Sequence, residues 1–376
     1  MIINRTPLRI SFFGGGTDYP SWYLKYGGSV LSTSIDKYCY ISCRVLPPFF
    51  EYRLRVVYSK TELCSHFEEI QHPAVRETLR FLGIEKGLEI HYDGDLPARS
   101  GMGSSSSFTV GLLHALYALR GIMPSKRQLA LESIHIEQDM IKETVGSQDQ
   151  VCAAYGGLNL INFSTGGEID VQPVTLSRAR LEELDSHLML FYTGIKRTAS
   201  DVAKNYVEDI DSKKKVLKKM QRIVQDGLEI LNSNYPIYRF GELLHETWML
   251  KKSLGEDVSN GCVDALYERA RKAGAIGGKI AGAGGGGFLL LFVPPSKQRW
   301  IREALSDKIH VPFRFESAGS QIIFYEPERV DYSELEKDRA KRAISSFREL
   351  ESVKKLTRVK AVAALSKRRE NGEYVV

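Results

Sequence analysis

No stretch of the chain approaches the roughly 18 to 20 apolar residues that a helix needs to span a bilayer; the strongest run is only Phe288 to Val293. A membrane-spanning helix is therefore excluded as a reading of the sequence. Cysteine is scarce as well. Its five positions, Cys39, Cys43, Cys64, Cys152 and Cys262, are odd in number and show no metal-ligand pattern. Cys39 and Cys43 stand four apart in a strand-like segment, which is poor spacing for zinc. All five are expected to be reduced core thiols. Met1 to Asn4, followed by Arg5, lacks the basic region, apolar stretch and small-residue cleavage site of a secretion signal, so a cytoplasmic location is expected. The body of the chain also lacks a strong excess of one charge. Of the net +6, the stretch from Asp331 to the end holds +4, with twelve basic against eight acidic residues. That tail lacks the regular interleaving of aromatic and basic residues that a base-stacking surface requires. It reads as a solvated basic helix, and neither nucleic acid nor membrane is expected as a partner.

What is present is an ordinary globular balance, 43% apolar and 26% charged, over 376 residues. That length is too great for one compact core, so two domains are expected, residues 1–186 and 187–330, followed by a basic helical tail over 331–376. The first half alternates. Leu8 to Phe13, Tyr38 to Leu46 and Leu54 to Tyr58 read as strands. Glu62 to Leu82 has helical periodicity, and Leu88 to Tyr92 returns to strand. Phe108 to Leu119 and Lys126 to Lys142 are expected as helices, and Leu158 to Phe163 with Ile169 to Val174 as a hairpin. His187 to Tyr192 reads as the strand that opens the second half. Helical patterns follow over Val202 to Leu231, Phe240 to Leu254 and Val263 to Lys272. Phe288 to Val293 and Gln321 to Tyr325 are expected strands flanking a helix at Lys297 to Leu305.

Three glycine-rich segments carry the chemistry. The first, Gly14-Gly15-Gly16-Thr17-Asp18-Tyr19, follows the Leu8 to Phe13 strand. The second runs from Leu96 and Pro97 through Gly101-Met102-Gly103-Ser104-Ser105-Ser106-Ser107 into a helix. Its glycines let backbone N–H groups close on an anion, and the helix that follows points its positive end at the same place. Its serines can cap the helix, bind phosphate oxygen or ligate a metal. No Gly-Lys-Ser/Thr follows, so it is not a Walker A loop. The third, Gly277 to Gly287, contains G-x-G-x-x-G at Gly282, Gly284 and Gly287. It lies between a helix and a strand, the reverse of the dinucleotide-binding context, and that reading is rejected. Close backbone approach to a neighbouring ligand loop is what its glycines permit.

The three segments in this order resemble the motifs of the GHMP kinases, named for galactokinase, homoserine kinase, mevalonate kinase and phosphomevalonate kinase. Pro7-Leu8-Arg9 with Gly14 to Tyr19 resembles their first motif, Pro97 to Ser105 their second and Lys279 to Gly287 their third, over about residues 5 to 325. The resemblance implies an α+β, two-domain fold with ATP and substrate in the interdomain cleft, and ATP and Mg²⁺ as cofactors. It implies phosphate binding by Gly101, Met102, Gly103, Ser104, Ser105 and Ser106, and makes Gly282, Gly284, Gly285 and Gly286 part of the family's third glycine motif. Within Gly146-Ser147-Gln148-Asp149-Gln150 it makes Asp149 the catalytic aspartate, with Arg9 beside it. Glu137 and Ser105 match the family's magnesium ligands. Phosphoryl transfer needs charge neutralisation and an oriented nucleophile, and these residue types supply both.

Galactokinases carry Gly-Glu-His-Thr-Asp-Tyr where this chain has Gly14 to Tyr19. Asp18 is retained, and Gly15 and Gly16 replace two polar side chains, leaving space. Arg5 to Tyr23, Gly27 to Tyr38, Tyr192-Thr193-Gly194 and the Leu244 to Leu254 helix are similar to those of bacterial D-glycero-D-manno-heptose 7-phosphate kinases. That likeness implies transfer to the anomeric hydroxyl of a sugar phosphate, giving a 1,7-bisphosphate for nucleotide-activated heptose. Gly15, Gly16, Thr17 and Asp18 would meet the acceptor. Lys196 and Arg197, before Thr198 and Ser200, offer two cations and capping hydroxyls for its phosphate. Another sugar 1-kinase of fucokinase or galactokinase type, and a non-catalytic sugar sensor on the same fold, are the alternatives.

Overall fold

The structure is a computed structural model, and it describes residues 1–98, 100–195, 207, 209–327 and 332. The chain opens with β1 (Ile2–Phe13), α1 (Pro20–Tyr26) and the long β2 (Gly28–Val45). Next come β3 (Leu54–Val57), β4 (Thr61–Cys64), α2 (Pro73–Leu82) and β5 (Leu88–Gly94). Three helices follow, α3 (Ser104–Leu119), α4 (Lys126–His135) and α5 (Gln148–Tyr155). The hairpin β6 (Leu158–Phe163) and β7 (Ile169–Pro173) leads through α6 (Arg178–Ser186) to β8 (Leu188–Tyr192). Beyond it lie α7 (Lys214–Asn232), α8 (Tyr238–Lys252) and α9 (Gly261–Lys272). The last elements are β9 (Gly277–Ile280), β10 (Phe288–Phe292), α10 (Gln298–Ala304), β11 (Ile309–Val311), β12 (Phe315–Glu316) and β13 (Gln321–Tyr325).

A nine-stranded sheet runs β13-β1-β2-β5-β3-β4, and β2 carries β12 and the β6–β7 hairpin beside it. Among the described residues only β3 and β5 pair in parallel. Pro7 has no N–H to give to the ladder, and the β1–β2 register shifts directly after it. Past that shift β2 changes neighbours: Gly28 to Thr33 pair with β6, and Cys39 to Val45 pair with β5. A second, antiparallel sheet runs β11-β8-β10-β9. All five residues of β10 are buried, which explains its unbroken apolar sequence. Leu289 and Leu291 join one core, whereas Phe288, Leu290 and Phe292 join the other with Leu8, Ile10, Phe12 and Phe13 of β1. Phe240 of α8 packs against Phe12 and Phe13 at ring-centroid distances of 5.3 and 4.8 Å, so aromatic contacts bind the second sheet's helices to the first strand.

Several expectations change. The periodic stretch Glu62 to Leu82 is three elements, a strand, a 3₁₀ turn and α2. Pro73 sits at the helix start and holds His72 in an extended conformation, which stops the helix from reaching further back. Between Lys126 and Lys142 the α-helix gives way at Ile136 to a π turn that ends at Met140, and Lys142 has φ +63°. Of the five cysteines, Cys262 is exposed and the other four are buried. Strands β12 and β13 return to the first sheet, unlike the expected division, in which everything from 187 to 330 belonged to the second domain. Residues 202–206, where the expected Val202 to Leu231 helix begins, and most of the basic tail lie outside the described residues. No described helix is long and apolar enough to cross a membrane.

Candidate active site

The alternation of β1 decides where its one buried guanidinium goes. Leu8, Ile10 and Phe12 point into the core shared with β10, so Arg9 projects from the opposite face, toward the start of α5. There Arg9 Nε and Nη2 donate to Asp149 Oδ1 and Oδ2, both at 2.7 Å. Arg9 is 4% exposed and the Asp149 side chain 23%, so the pair is buried from one side and open on the other. A bidentate, charge-assisted pair of this kind fixes the orientation of the carboxylate as well as its position. Burial works against the Arg9 charge, but Asp149 overcompensates and raises its pKa.

The second glycine segment wraps the same pair. Arg9 Nη1 donates to Gly101 O at 2.7 Å, and the Arg9 N–H donates to Met102 O at 3.1 Å. Gly103, at φ +76°, caps α3, and a side chain there would begin 3.2 Å from Arg9 Cγ and 3.5 Å from Asp149 Oδ2. Only glycine combines that left-handed backbone with such close approach to the pair. Ser104, Ser105 and Ser106 form the first turn of α3, with Ser104 and Ser106 buried and Ser105 exposed.

Glu137 lies on the π turn after α4, a distortion frequent at functional positions. It is 1% exposed. Its Oε2 accepts from Ser106 Oγ at 2.8 Å and Gln150 Nε2 at 2.6 Å, whereas Oε1 is buried without a hydrogen-bond partner. Burial pushes the carboxyl up to about 7, against the hydrogen bonds that favour its charge. An unpartnered buried carboxylate oxygen beside a hydroxyl suits a hard cation. Among the described residues no group of three or more His, Cys, Asp and Glu could hold a metal, and Mg²⁺ needs none when phosphate oxygens complete its shell. The serine that the structure brings to Glu137 is Ser106, not the expected Ser105.

The first glycine segment holds itself together. Thr17 is fully buried, and its hydroxyl lies 2.8 Å from Gly14 O and 3.0 Å from Ser29 O while accepting from Ser29 N–H. That hydroxyl braces the turn, which corrects the expectation that Thr17 meets an acceptor. Asp18 is 1% exposed and accepts from Gly16 N–H at 2.9 Å and Gln148 N–H at 3.4 Å. Burial, and then the charge of Asp149, raise its pKa. It supports the loop, close to the Arg9–Asp149 pair. Gly15 faces the side chains of Gln148 and Ser11, and Gly16 faces Leu217 of α7.

The third segment divides. Gly282 packs on Gly101: a side chain on Gly282 would begin 2.6 Å from Gly101 Cα, and one on Gly101 2.5 Å from Ala281 O. Gly284 and Gly286 back instead onto Val258 and Ile195, and Gly285 N–H donates to Val258 O at 2.8 Å. Those three shape the loop through contacts with Val258 and Ile195. Lys196, Arg197 and Arg99 are outside the described residues.

Two lysines escaped the sequence reading. Lys251 of α8 is 5% exposed and donates to Gly282 O; Lys279 of β9 is 3% exposed and donates to Ser11 O at 2.8 Å and Phe12 O at 3.0 Å. Burial, reinforced by the Arg9 charge, brings Lys251 down to about 7. Burial and then Lys251 lower Lys279 well below the usual lysine range. The signal was available for Lys251, because Leu244, Trp248 and Lys251 recur on one helical stripe whose other members are core residues.

Comparison with known proteins identifies what the chain resembles as a whole. Residues 69–157 match the N-terminal domain of the GHMP kinases, and residues 236–310 match their C-terminal domain. The chain is 28% identical over 320 residues to the D-glycero-alpha-D-manno-heptose 7-phosphate kinase of Campylobacter jejuni, covering 81% of this chain and 93% of that one. It is 26% identical over 326 residues to the bifunctional fucokinase/GDP-fucose pyrophosphorylase of Arabidopsis thaliana, 80% of this chain but 31% of that protein. The crystal structure of a D-glycero-D-manno-heptose 1-phosphate kinase from Bacteroides thetaiotaomicron superposes with a TM-score of 0.72 at 22% identity, covering 87% of this chain and 100% of that one.

Proposed function

Since the chain belongs to the GHMP kinases, we propose that it transfers the γ-phosphoryl group of ATP to the anomeric hydroxyl of D-glycero-D-manno-heptose 7-phosphate. The observation that carries the kinase chemistry is the Arg9–Asp149 pair, locked in bidentate geometry and backed by Gly103 at the head of α3. The heptose phosphate rests on the Campylobacter jejuni relative, whose name gives that substrate. The acceptor oxygen attacks the γ-phosphorus as the bond to the bridging oxygen of ADP breaks, and the hydroxyl proton passes to Asp149. Arg9 holds Asp149 in place and places positive charge beside the transferring group. Glu137 Oε1 with the Ser106 or Ser105 hydroxyl would hold Mg²⁺, which supplies charge neutralisation for the triphosphate. The site is read as lying in the cytoplasm, with ATP and a sugar phosphate as its small-molecule partners.

A coupled ADP-release assay across sugars tests this reading. Turnover with the heptose 7-phosphate far above that with unphosphorylated heptose, L-fucose, galactose and mevalonate is expected. Preferred turnover of L-fucose would replace the acceptor with a fucokinase one, and no ATP turnover with any acceptor would favour a sugar sensor. For the acceptor's own phosphate, Lys196 and Arg197 remain the proposed cations. Arg197→Ala should weaken acceptor binding by about 1.5–3 kcal/mol and leave the ATP constant unchanged. Unaltered acceptor binding would transfer that role to Arg5 or Arg99.

A further inference from the structure

Adjacent lysines on α8 have opposite fates. Lys252 is partly exposed and pairs with Asp264 at 3.2 Å, whereas Lys251 turns inward and, among the described residues, has no carboxylate partner in hydrogen-bond range. Placing an ammonium in the interior is costly, and the nearby carbonyl of a glycine loop offsets only part of that cost. The choice is informative because of what the carbonyl belongs to. Gly282 lies against Gly101, so closely that neither position has room for a Cβ. Gly101 O in turn accepts from Arg9 Nη1, and Arg9 holds both oxygens of Asp149. A continuous series of contacts thus runs from Lys251 through two glycine loops to the catalytic carboxylate.

We propose that Lys251 is a positioning residue for phosphoryl transfer: by holding Gly282 O, it presses the third glycine loop onto the second and thereby fixes Arg9 and Asp149. This inference rests on the kinase reading above.

The charges around Lys251 make its role dependent on its own ionisation. Arg9 of β1 opposes its charge, and Asp18, after β1, and Asp149 of α5 support it. Lys279 of β9 is a further amine in the same cluster, its charge likewise disfavoured by burial. Glu256 and Asp257, on the turn after α8, are exposed to water. On its own helix the neighbour Lys252 is directed to Asp264. A charged ammonium is a stronger hydrogen-bond donor to Gly282 O than a neutral amine. With Lys251 near 7 in the unliganded protein, the clamp is firm below that pH and weakens as pH rises through it.

The test compares Lys251→Met and Lys251→Arg with the wild type, using whichever acceptor the wild type turns over, together with equilibrium binding of a fluorescent ATP analogue and the thermal midpoint. A displacement of about 1 Å at a reacting group costs on the order of 10²-fold in rate, so Lys251→Met should lose kcat on that scale while nucleotide affinity changes little. Lys251→Arg, which keeps a cation, should recover most of that loss. The ratio of wild-type to arginine-variant kcat/KM for ATP should fall as pH rises from about 6 to about 8.5, because only the arginine's charge is permanent, while the ionisation of Glu137 is common to both and cancels in the ratio. If Lys251→Met does not fold, the pH profile of Lys251→Arg alone decides. The inference is overturned if Lys251→Met keeps wild-type kcat, if both variants lose activity only in step with their thermal midpoint, or if Lys251→Arg retains the wild-type pH profile. A wild type inactive on every acceptor overturns the kinase reading itself, a result distinct from an active wild type with indifferent variants.

Discussion

The two carboxylates of the site, Asp149 and Glu137, are treated in opposite ways by the fold. Asp149 has both oxygens matched by one guanidinium and keeps an open side. Glu137 is closed off from water, with one oxygen doubly hydrogen-bonded and the other left without a partner. In the proposed function, the fully paired, partly open carboxylate is the one assigned to the incoming hydroxyl, and the buried, half-satisfied one is assigned to a cation. The difference lies in the neighbours and not in the residue type, which is why a single chain can give two acidic side chains unrelated tasks.

Changing the paired carboxylate should have the largest effect. Asp149→Asn keeps the shape but removes the proton acceptor and the charge that faces Arg9, and kcat should fall by about 10²–10⁴. Steady-state turnover alongside nucleotide binding measures this, and near-normal turnover would erase the contrast. Next comes Glu137→Gln, which should raise the Mg²⁺ concentration at half-maximal rate because an anionic oxygen ligand is lost. The same change should stabilise the unliganded protein, more at about pH 8 than at about pH 5. Between the ordinary 4.5 and the folded value of about 7 the native state holds a proton that the unfolded chain has released, so wild-type stability falls as pH rises through that window. The glutamine has no such charge to lose. Thermal midpoints of both proteins at the two pH values check it, and equal differences would mean that Glu137 suffers no penalty for burial. The smallest effect, and the most discriminating, separates the serines. Ser106→Ala should shift the Mg²⁺ dependence because it removes the hydroxyl bonded to Glu137. Ser105→Ala should do so only if the family's pattern outweighs this geometry. A shift in Ser105→Ala alone would show that the hydrogen bond to Glu137 does not mark the metal ligand.

The parts legible in the sequence were those in which short-range chemistry is concentrated. Three glycine loops in order, with Arg9 before the first and Glu137 and Asp149 between the second and third, brought together residues that the fold places in one region. Close backbone approach between the second and third loops was also readable, since only glycines allow it. What stayed hidden depended on tertiary partners. Ser105 and Ser106 are adjacent on the same helical turn, and only the direction of the π turn carrying Glu137 selects between them. Thr17 looks like any loop hydroxyl until Ser29 is seen to face it across the turn. The apolar spacing before Leu82 imitates a helix, but Pro73 had already limited how far it could extend. Lys251 and Lys252 are chemically identical neighbours, separated only by about 100° of helical rotation.

Lys279 has a mechanical meaning as well. Its ammonium joins the second sheet to the carbonyls of Ser11 and Phe12, two and three residues along β1 from Arg9. A ligand cleft between two domains is usually entered by rotating one against the other about a few fixed points. Here such a point lies beside Arg9 on the same strand. Any opening motion that keeps those two bonds must turn about the end of β1, so the far rim of the cleft swings widely while Arg9 hardly moves.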